Sequence, residues 1–326
     1  MRSGFRVLLT AVLALAQGTL LASASGAQAP SFLKEWGANG GDQAGLSWPT
    51  AVAVDVDGNV YVTDWGSRRI QKYTNDGVFL TQWGDVGQGA GLFETPLGIA
   101  VSPSGEVYVT DCDNHTVQKF TSDGVFLLQW GTLGSSAGEL RNPTGIAIAA
   151  NGEVYVVDHS NWRVQKFTSD GVYLAQWGRP GSGDGEFGDP EEIGAGPWGI
   201  ALASNGDVYV ADQVNARIQK FTGAGGYISQ WGTFPCYGVA VDQNDHVYVS
   251  GNDVVRAFSS SGTLLYEWGG TGSAPGQFSD PEGVAVDRLG NVFVADMYNN
   301  RIQKFGFVPT PTQRTTWGQV KHLYRK

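Results

Sequence analysis

A short string, Pro-x-Gly-(Ile/Val)-Ala, recurs along this chain, and its period restricts the fold more than any other feature. It stands at residues 96–100, 143–147, 197–201 and 281–285, with variants at 49–53 and 235–240. The closing alanines are Ala53, Ala100, Ala147, Ala201, Ala240 and Ala285; their spacings of 47, 47, 54, 39 and 45 define six units. Each unit carries the same four phrases: "GIAV" before a polar-Gly turn, "VYV" plus Asp, "RIQKF", and "GVFLxQWG". The phrases are short, β-branched or aromatic, and bounded by Gly, Asn, Asp and Ser, so they read as strands a, b, c and d of an antiparallel meander. Gly supplies 47 of 326 residues, about twice the usual ~7 %, which disfavours a helical array and suits short strands joined by tight turns.

One such sheet cannot bury both of its faces. Repeating it around an axis does so and leaves only short edges. The termini separate a ring from an open solenoid. Unit six stops after its c phrase at Phe305, and the missing d phrase stands at the other end of the chain as Phe32-Leu33-Lys34-Glu35-Trp36-Gly37. The expectation is an all-β, six-bladed propeller of four-stranded antiparallel blades, closed by the N-terminal strand completing the last blade.

The units resemble NHL repeats, whose pattern runs through Pro-x-Gly-(Ile/Val)-Ala to Asp-x-x-Asn-x-Arg-(Ile/Val)-Gln-x-Phe. Blades 3, 4 and 6 carry it nearly complete, as Asp158/Asn161/Arg163, Asp212/Asn215/Arg217 and Asp296/Asn299/Arg301. Blade 1 has Asp64 and Arg69 with Ser67 at the Asn place; blade 2 has Asp111, Asn114 and His115 with Thr116 replacing Arg; blade 5 loses both Asp and Arg. The resemblance implies the propeller fold over about 32–305 and says little of function, because such folds host ligand binding, scaffolding and catalysis alike.

Two readings apply to the repeated polar set. Asp64/Arg69, Asp158/Arg163, Asp212/Arg217 and Asp296/Arg301 are either a ring of cations for an anionic ligand or one structural latch per blade. Repetition favours the latch, since a ligand would need only one site. The same argument makes Trp36, Trp83, Trp130, Trp177, Trp231 and Trp268 packing residues between blades. Positions that depart from the repeat are more informative. Thr50, Leu97, Thr144, Trp198, Tyr237 and Glu282 stand between the Pro and Gly of strand a; Trp65, His115, His159, Trp162 and Tyr298 stand in the b–c turns. All belong to the face of the d–a and b–c loops. The ligand-binding candidates are therefore Trp65, His115, His159, Trp162, Trp198, Tyr237, Glu282 and Tyr298, which would suit a sugar, a peptide or a polymer end; the alternative is that these rings only cover the core. The d–a segment 179–196, with Glu186, Asp189, Glu191 and Glu192, reads as a flap over the channel or as an idle loop.

Charge and donor counts narrow the chemistry. Residues 28–305 hold 15 basic and 31 acidic side chains, a net charge of −16, which repels phosphate backbones and disfavours nucleic acid. Four His, with His322 in the tail and His246 on the opposite face, fall short of the three-ligand sites typical of catalytic zinc. Peptidylglycine-amidating lyases and gluconolactonase-like propellers resemble this fold and use a channel metal; no matching set is evident beyond Glu282. No catalytic residue, metal ligand or cofactor is assigned, and calcium would bind only nonspecifically; "DVDGN" at 55–59 reads as a hairpin turn. Cys112 and Cys236 belong to opposite blades, too far apart for a bridge.

Residues 1–27 read as an export signal: Arg2 and Arg6, an apolar run at 7–21, then small residues. The run is shorter than the ~20 residues of a spanning helix, although an uncleaved anchor is the competing reading. The organisation is thus signal 1–27, propeller 28–305, and a Pro/Thr linker with a basic tail at 306–326. The sequence points to an exported monomer, periplasmic, extracellular or surface-held, with no transmembrane segment after signal removal. It would bind a protein, peptide or glycan through its d–a/b–c face without catalysis. A metal-dependent lyase or hydrolase with its site at the channel mouth, and a structural envelope protein, are the alternatives.

Overall fold

A computed structural model describes residues 28–38, 45–188 and 196–307. The signal assigned to 1–27, the tail from 308 and the flap residues Asp189, Glu191 and Glu192 lie outside these. The described residues form six four-stranded antiparallel sheets, each running in simple meander order. In blade 2 the strands are Pro96–Val101, Val107–Asp111, Thr116–Phe120 and Phe126–Trp130. The two middle strands are buried along their whole length, whereas the last is half-buried with Leu127 exposed. This is the pattern of a blade sandwiched between neighbours with only its outer strand meeting solvent.

The ring closes as the termini imply. Strand Ser31–Trp36 pairs antiparallel with Arg301–Gly306, placing Phe32 opposite Phe305, Glu35 opposite Gln303 and Trp36 opposite Ile302. That sheet is completed by Val292–Asp296 and Pro281–Val286. One blade is thus built from both ends of the chain.

The core lies between blades. Each d-strand tryptophan packs on the aromatic residue ending the c strand of the next blade: Trp83 on Phe120 at 5.9 Å, Trp130 on Phe167 at 6.0 Å, Trp177 on Phe221 at 5.9 Å. Across the closure Trp36 meets Tyr73 at 6.0 Å. The indole also lies on a glycine of the neighbouring c–d turn; a Cβ on Gly124, whose φ is +85°, would stand 2.5 Å from Trp83.

The glycine of Pro-x-Gly answers to a different constraint. The six a strands converge on the axis, and a Cβ on Gly199 would lie 2.2 Å from the Tyr237 carbonyl oxygen, one on Gly98 2.2 Å from that of Thr144. Hydroxyls from a and b strands tie each blade to the a strand of the next: Thr63 donates to the Leu97 carbonyl at 3.0 Å, Thr110 to that of Thr144 at 2.6 Å, and Thr144 to that of Trp198 at 2.9 Å. The close approach fixes where each residue between Pro and Gly points.

Cys112 and Cys236 are unpaired, and burial pushes both thiols up to about 12, well away from nucleophilic chemistry. Among the described residues no helix is long and apolar enough to cross a membrane.

Candidate binding site at the channel mouth

The repeated polar set is a latch with more partners than one hairpin needs. Arg163 Nε donates to Asp158 Oδ2 at 2.7 Å, while its two Nη groups reach the carbonyls of Ser135, Ser136 and Glu139 and Oε1 of Gln176 at 2.8–3.0 Å. Asn161 and Gln165 donate to the same aspartate, whose other oxygen accepts the Arg141 N–H. Each latch therefore ties the b–c turn to the d–a loop leading into its own blade. Arg217 with Asp212 and Arg301 with Asp296 repeat these contacts, and Arg69 with Asp64 makes a shorter set. The guanidinium donors are turned into the protein, engaged with backbone, and do not form an open anion site.

The varied positions of strand a meet on the axis. Thr50, Leu97, Thr144, Trp198, Tyr237 and Glu282 all line one central cavity of about 80 Å³. A water needs at least ~10–15 Å³ by this measure, so the space takes a handful of waters or a small end group. The aromatic wall is one-sided. Trp198 and Tyr237 lie edge to face with centroids 6.2 Å apart, and His159 stands against Trp198 at 5.3 Å. His159 is held in place by a 2.9 Å hydrogen bond between Nδ1 and the Pro197 carbonyl. Burial raises the Tyr237 hydroxyl above its ordinary value, helped by Asp280 and Glu282, with Gln213 in hydrogen-bonding reach and Tyr298 nearby.

Glu282 is the exceptional member. Its side chain opens partly onto the cavity, yet Oε2 is buried and has no hydrogen-bond partner. Burial and the neighbouring Asp280 push the carboxyl up to about 8. Asp280 is itself raised by burial and by Asp253. The folded state therefore takes up a proton at Glu282 between about pH 4.5 and 8: its contribution is full below the lower value and is lost as pH rises to the upper one. Glu282→Gln should remove that dependence. Relative to the variant, the native chain should lose about 2–4 kcal/mol between pH 5 and pH 8.5, measured by urea titration at both; a constant difference would refute the burial account.

The remaining candidates lie elsewhere. Trp65 pairs with the exposed Trp48 at 5.2 Å. Trp162 packs against the core between blades 3 and 4. His115 Nδ1 accepts the Asn142 N–H at 3.2 Å and lines a separate cavity in blade 2. The described half of the 179–196 loop is fastened down, since Arg217 holds the carbonyls of Ser182, Gly183 and Glu186. Asp55 in the 55–59 turn spends both oxygens on the turn itself, accepting from Asp57 N, Asn59 N, Asn59 Nδ2 and the Tyr61 hydroxyl.

A family model described as NHL repeat matches residues 46–73, 93–120, 140–167, 195–221 and 278–305. These stretches contain the a, b and c strands of blades 1, 2, 3, 4 and 6. The chain is an NHL-repeat propeller. Among curated proteins the sequence finds no match. Solved structures share the fold of this NHL propeller at low identity. Virginiamycin B lyase from Staphylococcus aureus is 17 % identical with a TM-score of 0.58, over 84 % of this chain and 99 % of that one. A gluconolactonase from Xanthomonas campestris is 16 % identical with a TM-score of 0.58, over 80 % and 86 %.

Among the described residues of the NHL propeller, no three His, Cys, Asp or Glu side chains gather as a metal site. Of the residues lining the axis, Glu282 alone carries a carboxylate. Among the described residues the donor set on the axis does not fit a channel metal. Blade 5, outside the matched stretches, has Gly251 and Val254 where the NHL latch has Asp and Arg. Two acidic residues of the mouth were not singled out by sequence, Asp280 and Asp253. Asp280 precedes the repeat's Pro, where the other blades have Trp48, Thr95, Asn142, Gly196 and Phe234, and comparing that position across units would have exposed it.

Proposed function

We propose that this NHL propeller is an exported, non-catalytic binding module whose channel mouth takes a cationic end group, such as the side-chain amine of a peptide or protein partner. The observation that carries this reading is Glu282: a carboxyl oxygen buried without a partner, beside Asp280, under the Trp198–Tyr237 wall. A cation seated there would supply the missing donor, offset the repulsion between the two acids and meet an aromatic face. The −16 body would draw it in from solution. Export rests on the charged, apolar and small-residue succession of 1–27.

Calorimetric titration with n-butylamine and with a lysine-containing peptide tests the reading. Both should bind at pH 7, the peptide more tightly, and Trp198→Ala or Glu282→Gln should weaken binding at least tenfold. Equal affinity for the acetylated-lysine peptide, or a response to neutral sugars alone, would overturn it.

A further inference from the structure

Blade 2 keeps every part of the latch except its arginine. A shift of 47 residues carries Arg163 and its partners in blade 3 onto Thr116, Asp111, Gln88, Gly89, Leu92 and Gln129. In blade 3 those partners accept the whole guanidinium fork. In blade 2 the loop that carries the acceptors keeps two of its latched contacts. Gln118 Nε2 donates to the Leu92 carbonyl at 2.7 Å, as Gln165 does to that of Glu139 at 2.6 Å. Asn114 donates to the Gly87 carbonyl at 3.0 Å, as Asn161 does to that of Gly134 at 2.8 Å.

What the arginine would fill is open space. A cavity of about 490 Å³ is lined by Gln88, Gly89, Asn114, His115, Thr116 and Gln129. Two buried polar atoms beside it, Thr116 Oγ1 and Asn114 Oδ1, have no hydrogen-bond partner. Asp111 lies wholly buried beneath, with its carboxyl raised by burial. Blade 5 provides the contrast. It loses latch aspartate and arginine together, and there the connection is shortened so that Phe234 stacks flat on Phe258 at 5.6 Å. The loss in blade 5 is accompanied by a closed-up loop; the loss in blade 2 is not.

We propose that the blade-2 cavity is a receptor for a guanidinium group, presented by an arginine side chain of a peptide or protein partner, which occupies the place of the absent latch arginine. Carbonyls of Gln88, Gly89 and Leu92, with Gln129 Oε1, are the counterparts of the acceptors that hold the planar fork in blade 3. A planar set of five donors suits that arrangement, whereas a lysine ammonium offers a single point. Asp113 at the rim adds an exposed carboxylate. This receptor is separate from the channel mouth and does not rest on the reading given there.

The experiment compares arginine amide, lysine amide and a Gly-Arg-Gly peptide on the native chain and on Thr116→Arg, by calorimetry and thermal unfolding. Arginine amide should bind at least tenfold more tightly than lysine amide. Thr116→Arg should unfold at a higher temperature without ligand and bind arginine amide at least tenfold more weakly. If that variant does not fold, Gln129→Leu, which removes one acceptor, should show the weakened binding. The same comparison made in Glu282→Gln, where amine binding at the channel mouth is weakened, should still favour arginine amide at least tenfold, which separates this site from the channel mouth. Arginine amide no better than lysine amide, or undiminished binding in the variants, would overturn the receptor. A peptide at least tenfold tighter than arginine amide assigns the group to a chain partner; equal affinity would overturn that assignment.

Discussion

Asp158→Ala is expected to cost about 3–5 kcal/mol of folding stability, because it strands a buried guanidinium. Arg163 is nearly inaccessible and Asp158 wholly so, and the aspartate also anchors Asn161, Gln165 and the Arg141 N–H. Removing it leaves a charge that water cannot reach and several donors without an acceptor. The same substitution in blade 2 makes the internal control. Asp111 faces no arginine, and burial alone raises its carboxyl. Asp111→Ala loses hydrogen bonds from Thr95 N and Asn114 but strands no cation, so its cost should be less than half as large. Urea titration of both variants at pH 7 decides the matter. Equal losses would show that the arginine contributes nothing that the hairpin does not already provide.

The second large effect belongs to the closure. Deleting the segment through Trp36 removes strand Ser31–Trp36, uncovers the edge of Arg301–Gly306, and takes Phe32 from Phe305 and Trp36 from Tyr73 and Phe293. Each large side chain contributes about 1.5–3 kcal/mol of burial, and Arg301 also loses its 2.8 Å ion pair with Glu35. The sum is on the order of 5 kcal/mol, comparable with the whole stability of many domains, and the bare edge strand invites association with other chains. The truncated protein should therefore elute as aggregate rather than monomer. Moving residues 31–37 behind Gly306 through a c–d turn copied from another blade should restore the monomer. A truncated chain that stays monomeric with an unchanged unfolding midpoint would show that the ring does not depend on this strand.

Much of this was legible because a repeat is compared with itself. Wherever six copies agree, as at the d-strand tryptophans, the cause is shared geometry, and each tryptophan does pack on the next blade. Wherever they differ, a local reason must exist. That logic singled out Trp198, Tyr237 and Glu282, which the structure brings into one cavity with Thr50, Leu97 and Thr144. It could not rank the differing positions. Trp65 and Trp162 depart from the pattern just as plainly, yet one leans against Trp48 and the other covers the core. Side-chain direction in the tight b–c turn depends on the left-handed backbone there, as at Trp162 with φ +50°, and identity alone does not encode which way such a residue turns.

The number of blades, their antiparallel order and the joining of the two ends follow from periodicity and from one missing phrase, because hydrophobic pattern and turn residues are local properties of the chain. What forms at the axis is not local. Trp198, Tyr237 and Glu282 lie tens of residues apart, and only the convergence of the a strands sets one carboxyl oxygen among them without a partner. Likewise the substitution of Thr116 is plain to read, but whether its loop collapsed, as in blade 5, or stayed open around a cavity is settled by packing against the neighbouring strands and loop.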